Sequence, residues 1–209
     1  MTSESISLTA AVAPVVSFAM HQASVPVIGE LRLKNESEET VDGLTVSMTC
    51  EPPVIGERRW TFDRIAAGSE LAPSDRTVSL DGGLLYKLSE RMQATVTIRV
   101  MRGETQFAES VHSIVALARH EWGGSVSTPE LLAAFVTPND PGVAEILRSA
   151  SNILREGGRN PSLEGYQSQS RARVWEIASA IWNVVASRRL TYVEPPASFE
   201  RDGQKIRLP

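Results

Sequence analysis

The stretch HSIVALARHEWGGSVSTPELLAAF, residues 112–135, decides the fold because the hydrophobic pattern changes inside it. Up to Trp122, apolar and polar residues alternate in short runs that Gly, Pro, Asn and Asp interrupt, which is typical of strands. From Ser127 onwards, apolar residues recur at helical spacing behind helix-start signals. We therefore predict an α+β protein with two domains: an antiparallel, immunoglobulin-like β-sandwich over residues 1–122 and a small helical connector domain over residues 123–209.

Seven or so short strands are predicted in the first domain. They cover residues 6–10, 25–34, 44–48, 54–62, 77–80, 92–101 and 105–118. The polar segment 35–43 ends in Asp42-Gly43, which favours a hairpin between the strands on either side of it. The tripeptide 102–104, Arg-Gly-Glu, closes the last pair in the same way. Short strands with turns every eight to twelve residues, and no long helix between them, favour the immunoglobulin-like sandwich.

Three helices are predicted in the second domain. Ser127 and Glu130 have the spacing of a capping box at the start of the first helix. Either Asn139 or Asp140 can cap the second, which ends at the glycine pair 157–158. The third begins near Ser170 and ends with the cations Arg188 and Arg189 in its last turn, where they favour the helix dipole. Its predicted buried stripe consists of Val174, Ile177, Ala178, Ile181, Trp182 and Val185.

Four side chains around the third helix are the candidate partner-contacting residues. Trp175 lies one residue off the stripe, so either it widens the buried face, which we favour, or its indole is exposed for a partner. Arg171 and Arg173 flank the helix start. Either they contact a phosphate or carboxylate of a partner, or they are solvated, which is the interpretation we favour. Tyr166 is either an exposed recognition residue or, more commonly for a loop tyrosine, packed.

Composition restricts the class of protein. A chain of 209 residues with 42% hydrophobic residues can bury one large core or two small ones. It contains no run of 18 apolar residues, and its N-terminus lacks the basic front of a signal peptide, so we expect a cytoplasmic protein without a membrane span. The single cysteine, Cys50, lies in an alternating apolar segment, which predicts a buried thiol.

No catalytic, cofactor-binding or metal-binding site is predicted. The three histidines, His21, His112 and His120, lack metal-ligand spacing, and the chain has no nucleotide-binding loop or nucleophile motif. An enzyme would require a concave pocket with a titratable group, for which His112, His120 and Glu121 are the candidates. Residues 1–118 carry 10 basic and 15 acidic side chains, which disfavours nucleic-acid binding, whereas residues 119–209 carry 11 and 10 and leave that question open.

Several strings in the chain resemble a known family of bacterial proteins. They are residues 112–122, 131–140, 166–168, 173–182 and 195–200. Together they are similar to the N-terminal region of very large proteins that join a domain of unknown function to a superfamily-one helicase core and, often, to a Vsr-like endonuclease. Such proteins are associated with defence against phage and other foreign DNA.

The resemblance implies a role without chemistry for these residues. In that family the ATP-binding, helicase and nuclease motifs lie downstream, so none of them falls on a position of this sequence. Ile206 and Leu208 have the pattern of a further ordered segment, from which we expect a fragment truncated at its C-terminus. The implied function is a non-catalytic interaction, sensor or scaffolding module whose partners are the downstream domains, another protein or, through the parent protein, nucleic acid. The alternative is a stand-alone immunoglobulin-like protein-binding module.

Overall fold

The computed structural model describes residues 5–124, 129–190, 201 and 203–205. The fold is mixed α+β and consists mostly of sheets with a few helices. Contacts between Cα atoms divide the chain into two compact units, Met1–Ala133 with Ser198–Ile206 and Ala134–Ala197 with Arg207–Pro209, which we call unit 1 and unit 2. This division falls at Ala133, whereas the hydrophobic pattern of the sequence changes near Trp122.

Unit 1 contains the strands. They are β1 Ile6–Val12, β2 Val15–Val16, β3 Ile28–Asn35, β4 Val41–Glu51, β5 Arg58–Ile65, β6 Glu70–Leu71, β7 Met92–Arg102, β8 Thr105–Ala116, β9 Glu121–Trp122 and β10 Gln204–Lys205. One sheet has the order β1-β3-β6, a second has the order β2-β8-β7-β4-β5 and is curled into a half-barrel, and β9 pairs with β10. All pairs are antiparallel except β2 with β8.

The helices are distributed over both units. Unit 1 includes the short helices α1 Phe18–Gln22 and α2 Gly82–Lys87, which the sequence patterns do not predict. A 3₁₀ helix spans Pro129–Phe135. The two long helices of unit 2 are α3 Pro141–Glu156 and α4 Arg171–Ser187. Among the described residues, no helix is long and apolar enough to cross a membrane.

Alternating burial confirms most of the predicted strands. Leu31 and Leu33 of β3 are fully buried while Arg32 and Lys34 are exposed, and β4 and β7 show the same period of two. The strand expected over 54–62 is confirmed only from Arg58 onwards. The strand expected over 77–80 is wrong, because these residues contribute one isolated bridge, from Leu80 to Ile55.

The predicted hairpin over residues 35–43 is also wrong, because the strands on either side of it lie in different sheets. β3 pairs with β1 and β6, whereas β4 pairs with β5 and β7. Asp42-Gly43 lies inside β4, where Gly43 has a positive φ of 70° that glycine adopts without strain. The segment is therefore a crossover between sheets.

Asn35 explains why the chain crosses over here. Its side chain is fully buried, and its amide nitrogen donates to the carbonyls of Glu39, Ile65 and Ala66 at 2.7, 3.1 and 3.2 Å. Its amide oxygen accepts hydrogen bonds from the N–H and the hydroxyl of Ser37 at 3.0 and 2.7 Å. These bonds fix the crossover against the end of β5, since buried backbone carbonyls need such partners.

The second predicted turn is confirmed. Arg102 at the end of β7 pairs with Thr105 at the start of β8, so the strands form a hairpin around Gly103 and Glu104. Gly103 has a φ of 58°, a conformation that favours glycine in tight hairpin turns. β7 and β8 then remain paired as far as Met92 and Ala116.

The long helices of unit 2 begin and end near the predicted residues. The Asp140 carboxylate caps α3 by accepting from the N–H of Gly142 at 2.7 Å, and Gly158 comes after the helix with a φ of 69°. The Ser170 hydroxyl caps α4 by accepting from the N–H of Arg173 at 3.3 Å. α4 ends at Ser187, so Arg188 and Arg189 lie after its last turn, which corrects their predicted position. The predicted cap Ser127 lies outside the described residues, and the first predicted helix is the 3₁₀ helix Pro129–Phe135.

Candidate functional site

Helix α4 has one face packed inside unit 2 and the opposite face exposed. Ala180 and Val184 pack against Ala150 and Leu154 of α3 in a small buried core, with Ile146, Leu163, Ile177 and Ile181 partly buried around it. At about 100° per residue, Trp175 is directed about 180° away from Val184, and Trp182 lies about 20° from Trp175. The two indoles therefore share the outer face, with exposures of 74% and 71%.

The outer face of α4 is apolar or neutral around the indoles. Its other residues are Arg171, Ala172, Ala178, Ser179, Asn183, Val185 and Ala186. Arg171 supplies its only charge, and Val174, at the flank, is 54% exposed. The two exposed indoles are about 10 Å apart along the helix. Soluble proteins seldom expose neighbouring large apolar side chains, and where they do, the surface usually marks an interaction site. We call this surface, from Arg171 to Ala186, the tryptophan face.

The predictions on burial are therefore corrected. Val174, Ala178 and Trp182 are exposed although they lie in the predicted buried stripe, and Trp175 is exposed although burial was the favoured interpretation. α4 carries apolar residues around most of its circumference, so periodicity alone leaves the packed face undecided. The packed face is the one with Ala180, because small residues here and at Ala150 allow α3 and α4 to approach closely.

Arg173 is not solvated but bound within unit 2. Its guanidinium donates to the carbonyls of Asn160 and Ser162 and to the carboxylate of Glu176, and its side chain is only 11% exposed. It therefore fastens the segment before α4 to the helix. Arg171 is exposed and has no hydrogen-bond or ion-pair partner among the described residues, so the structure separates the two arginines that the sequence placed together.

Tyr166 is the most exposed of the large hydrophobic residues in the described part of the chain, at 94%. Its backbone N–H donates to the Glu164 carboxylate at 2.8 Å, which fixes the loop while the ring remains in solvent. The prediction of a packed tyrosine is wrong. Tyr166 and Trp175 are both accessible to a partner.

Two of the residues considered for enzymatic chemistry, Glu121 and His112, form hydrogen bonds with neighbouring groups of the fold. Glu121 is buried, and its carboxylate accepts from Arg91 at 2.6 Å and from the N–H of Ala118 at 3.2 Å, as a structural carboxylate does. The His112 ring contacts the Ser110 hydroxyl at 2.8 Å on the same strand. Within the described ranges no group of three or more potential metal ligands occurs.

A cavity of about 470 Å³ lies in unit 1, and the sequence patterns did not reveal it. It is lined by residues 24–28 on one side and 74–80 on the other, with Met20 and His21 at one end. Within it, the hydroxyl and N–H of Thr77, and then the Arg58 guanidinium, hold the pKa of Asp75 below its usual range. The one sequence signal for this cavity is Pro73, which interrupts the strand before it.

Comparisons of the chain with family models, with curated proteins and with solved structures give no match in any of the three. The similarity to the N-terminal regions of helicase-associated defence proteins therefore remains an expectation from the sequence. A function must therefore be inferred from the tryptophan face and from the cavity in unit 1.

Proposed function

We propose that this chain is a non-catalytic interaction or scaffolding module of a larger helicase- or nuclease-type defence protein that acts on foreign DNA in the cytoplasm. The observation that carries the proposal is the tryptophan face. Burying an exposed indole is worth roughly 3 kcal/mol or more at about 25 cal/mol per Å². A helix that presents Trp175 and Trp182 to solvent is therefore suited to be covered by another protein surface, and tryptophans are frequent energetic centres of such interfaces.

A downstream domain of the same polypeptide is the proposed occupant of the tryptophan face. A direct DNA contact is disfavoured, because a surface that tracks the phosphate backbone needs several cations and this face offers only Arg171. Arg173 is engaged inside unit 2. The module would thus support the DNA-acting part of the larger protein without lying on the path of the DNA.

For unit 1 we propose an immunoglobulin-like sandwich. The strand orders support it: β1-β3-β6 and β8-β7-β4-β5 correspond to the A-B-E and G-F-C-C′ sheets of that fold. The division of the first strand also fits, since β1 pairs with β3 in one sheet while β2 pairs with β8 in the other. This architecture is compatible with the second candidate function, a stand-alone immunoglobulin-like protein-binding module.

The experiment that tests the proposal uses the chromosomal gene. A sequence for an affinity tag is inserted at the start of the reading frame, and the purified product is sized and sequenced by mass spectrometry. We expect one polypeptide much heavier than 22.8 kDa that contains helicase motifs. A product of 22.8 kDa alone would contradict the larger protein and support the stand-alone module.

A pair of variants then tests the tryptophan face. We expect the double variant Trp175→Ala, Trp182→Ala to lower phage resistance at least about tenfold, since losing an interface hot spot costs about 2 kcal/mol or more. The matched control is Tyr86→Ala with Val111→Ala, which removes exposed apolar side chains from unit 1. Equal resistance in both double variants would contradict a role for the face.

A further inference from the structure

The edge of the three-stranded sheet has a gap beside β3. β6 pairs with β3 only at Leu33 and Lys34 and ends at Leu71. Pro73 comes two residues later, and proline has no N–H to continue a ladder of hydrogen bonds. From there to the bridge at Leu80, the chain runs alongside β3 without pairing with it.

The segment 74–80 is held away from β3 by hydrogen bonds on its other side. The Asp75 carbonyl accepts from the Trp60 indole at 2.7 Å, and its carboxylate accepts from Arg58 at 2.8 Å. The Ser79 carbonyl accepts from the N–H of Gly56 at 2.8 Å. These bonds attach the segment to β5 and the residues before it, so the gap is a fixed feature of the fold.

One hydrogen bond between described residues crosses the gap: the Arg76 guanidinium donates to the Gly29 carbonyl at 2.8 Å. Gly29 is the extra residue of a bulge, because Ala11 pairs with Glu30 while Val12 pairs with Ile28. The resulting slot is the cavity of about 470 Å³ in unit 1, within the size range of ligand sites.

The slot has an apolar floor and a neutral polar rim. The floor residues Met20, Val27, Ile28 and Leu80 are all buried. The rim residues include Ser24, Ser74, Thr77 and Ser79. The charges of Arg76 and Asp75 are already used within the fold, which leaves neutral groups to meet a ligand.

The β3 wall also offers unpaired backbone groups. The Val27 carbonyl accepts from the N–H of Ala13 on the β1 side. Successive residues of a strand point their backbone groups to opposite edges, so the N–H and C=O of Ile28 are directed into the slot. No backbone group of the described residues 74–80 bonds to them.

We propose that this slot binds an extended peptide of about five residues, which inserts as a strand between β3 and the segment 74–80 and packs an apolar side chain on the floor. Backbone hydrogen bonds with Ile28 would supply affinity, and the size of the floor would select the side chain. The slot consists of residues of unit 1 and the tryptophan face of residues of unit 2, so the proposed peptide binding does not depend on the function proposed for the tryptophan face.

The first test uses the blocked pentapeptide Ac-Thr-Val-Thr-Val-Thr-NH₂ and ¹⁵N-labelled full chain. We expect a saturable shift of the Ile28 amide resonance and at least about tenfold slower amide exchange at saturation. The same peptide with all its backbone amides N-methylated has no N–H to donate to β3 on either edge, so we expect no shift with it. A response of the Val111 amide on β8 without one at Ile28, or an equal effect of the N-methylated peptide, would overturn the proposal.

Substitutions locate the site. Thr77→Trp fills the slot from its exposed rim, whereas Thr61→Trp places the same indole on exposed β5, outside the lining residues. We expect Thr77→Trp to weaken the Ile28 response at least about tenfold and Thr61→Trp to leave it unchanged. Equal responses in the two folded variants would contradict the slot. The Trp175→Ala, Trp182→Ala protein should respond like the wild type, so this test and that of the tryptophan face fail independently.

Discussion

At the scale of single residues, the fold depends on a polar side chain in the core. Asn35 is buried between backbone groups of the crossover and of the end of β5, and it satisfies three carbonyls at once. No apolar side chain could do this. The sequence shows Asn35 as the first residue of a polar turn, which is why pattern reasoning predicts a hairpin instead of a crossover.

Replacing Asn35 is expected to be far more costly than replacing its neighbour. Asn35→Ala should lower the free energy of unfolding by about 3 kcal/mol, because it leaves several buried polar groups without partners. Ser37→Ala removes hydrogen bonds of one hydroxyl and should cost about 1 kcal/mol. Urea unfolding monitored by the fluorescence of buried Trp60 measures both. A cost below about 1 kcal/mol for Asn35→Ala would show that water replaces its bonds.

Cys50 gives a prediction of pH dependence. Burial raises the pKa of its thiol, since the thiolate is disfavoured away from water. Because the pKa of Cys50 is higher in the folded chain, its neutral thiol stabilises the fold fully below the pKa of the unfolded chain, about 8.5. This stabilisation is lost as the pH rises through the pKa of the folded chain. The rate of alkylation by iodoacetamide in the folded chain should therefore reach half its maximum above about pH 8.5. If the pH of half-maximal alkylation were at or below that of the urea-unfolded chain, the raised pKa of Cys50 would be contradicted.

At the scale of secondary-structure elements, α4 shows what periodicity can and cannot predict. Its capping residue, Ser170, is predictable from local chemistry, since a hydroxyl at this position accepts from the first free N–H groups. The packed face cannot be predicted without α3, because two faces of α4 are apolar and only the core that Ala180 and Val184 share with Ala150 and Leu154 of α3 chooses between them. Three of the four candidate partner residues, Tyr166, Arg171 and Trp175, are exposed for the same reason: the core of unit 2 does not use them.

Two substitutions in α4 distinguish the faces. Val184 is buried, so Val184→Ala should lower the free energy of unfolding of unit 2 by about 1–2 kcal/mol. Trp182→Ala should change it by less than about 0.5 kcal/mol, because an exposed side chain loses little on truncation. Thermal unfolding monitored by circular dichroism compares them. A loss of about 3–5 kcal/mol for Trp182→Ala would instead place Trp182 in the core, as the periodicity predicted.

The outer edge of β8 offers a second test at this scale. The N–H groups of Val115 and Leu117 donate to Pro14 and Val16 on the β2 side. By alternation the Val111 N–H points to the same edge, beyond the end of β2, whereas the His112 N–H points to β7. Amide exchange should therefore be fast at Val111 and slow at Val115 and His112. Slow exchange at Val111 would show that another segment covers this edge.

At the scale of the whole molecule, the sequence predicts the α+β fold class better than it predicts which strands pair with one another. Apolar and polar residues alternate in β3, β4, β7 and β8. This alternation is sufficient to predict a sheet-rich unit before the helices, because the hydrophobic period of a strand differs from that of a helix. The distribution of strands between two sheets, and the slot left beside β3, depend on long-range pairing that no local pattern contains. The tryptophan face likewise becomes visible only once the packed face of α4 is known.

The most direct test of the proposed module compares the accessibility of its tryptophans in two proteins. Hydroxyl-radical footprinting with mass spectrometry is applied to the 209-residue chain and to the larger polypeptide that we propose contains it, with buried Trp60 and Trp122 as internal references. We expect rapid oxidation of Trp175 and Trp182 in the chain alone and at least about tenfold slower oxidation in the larger protein, since a hot-spot indole is excluded from solvent. Equal oxidation of both tryptophans in the two proteins would contradict the proposed interface.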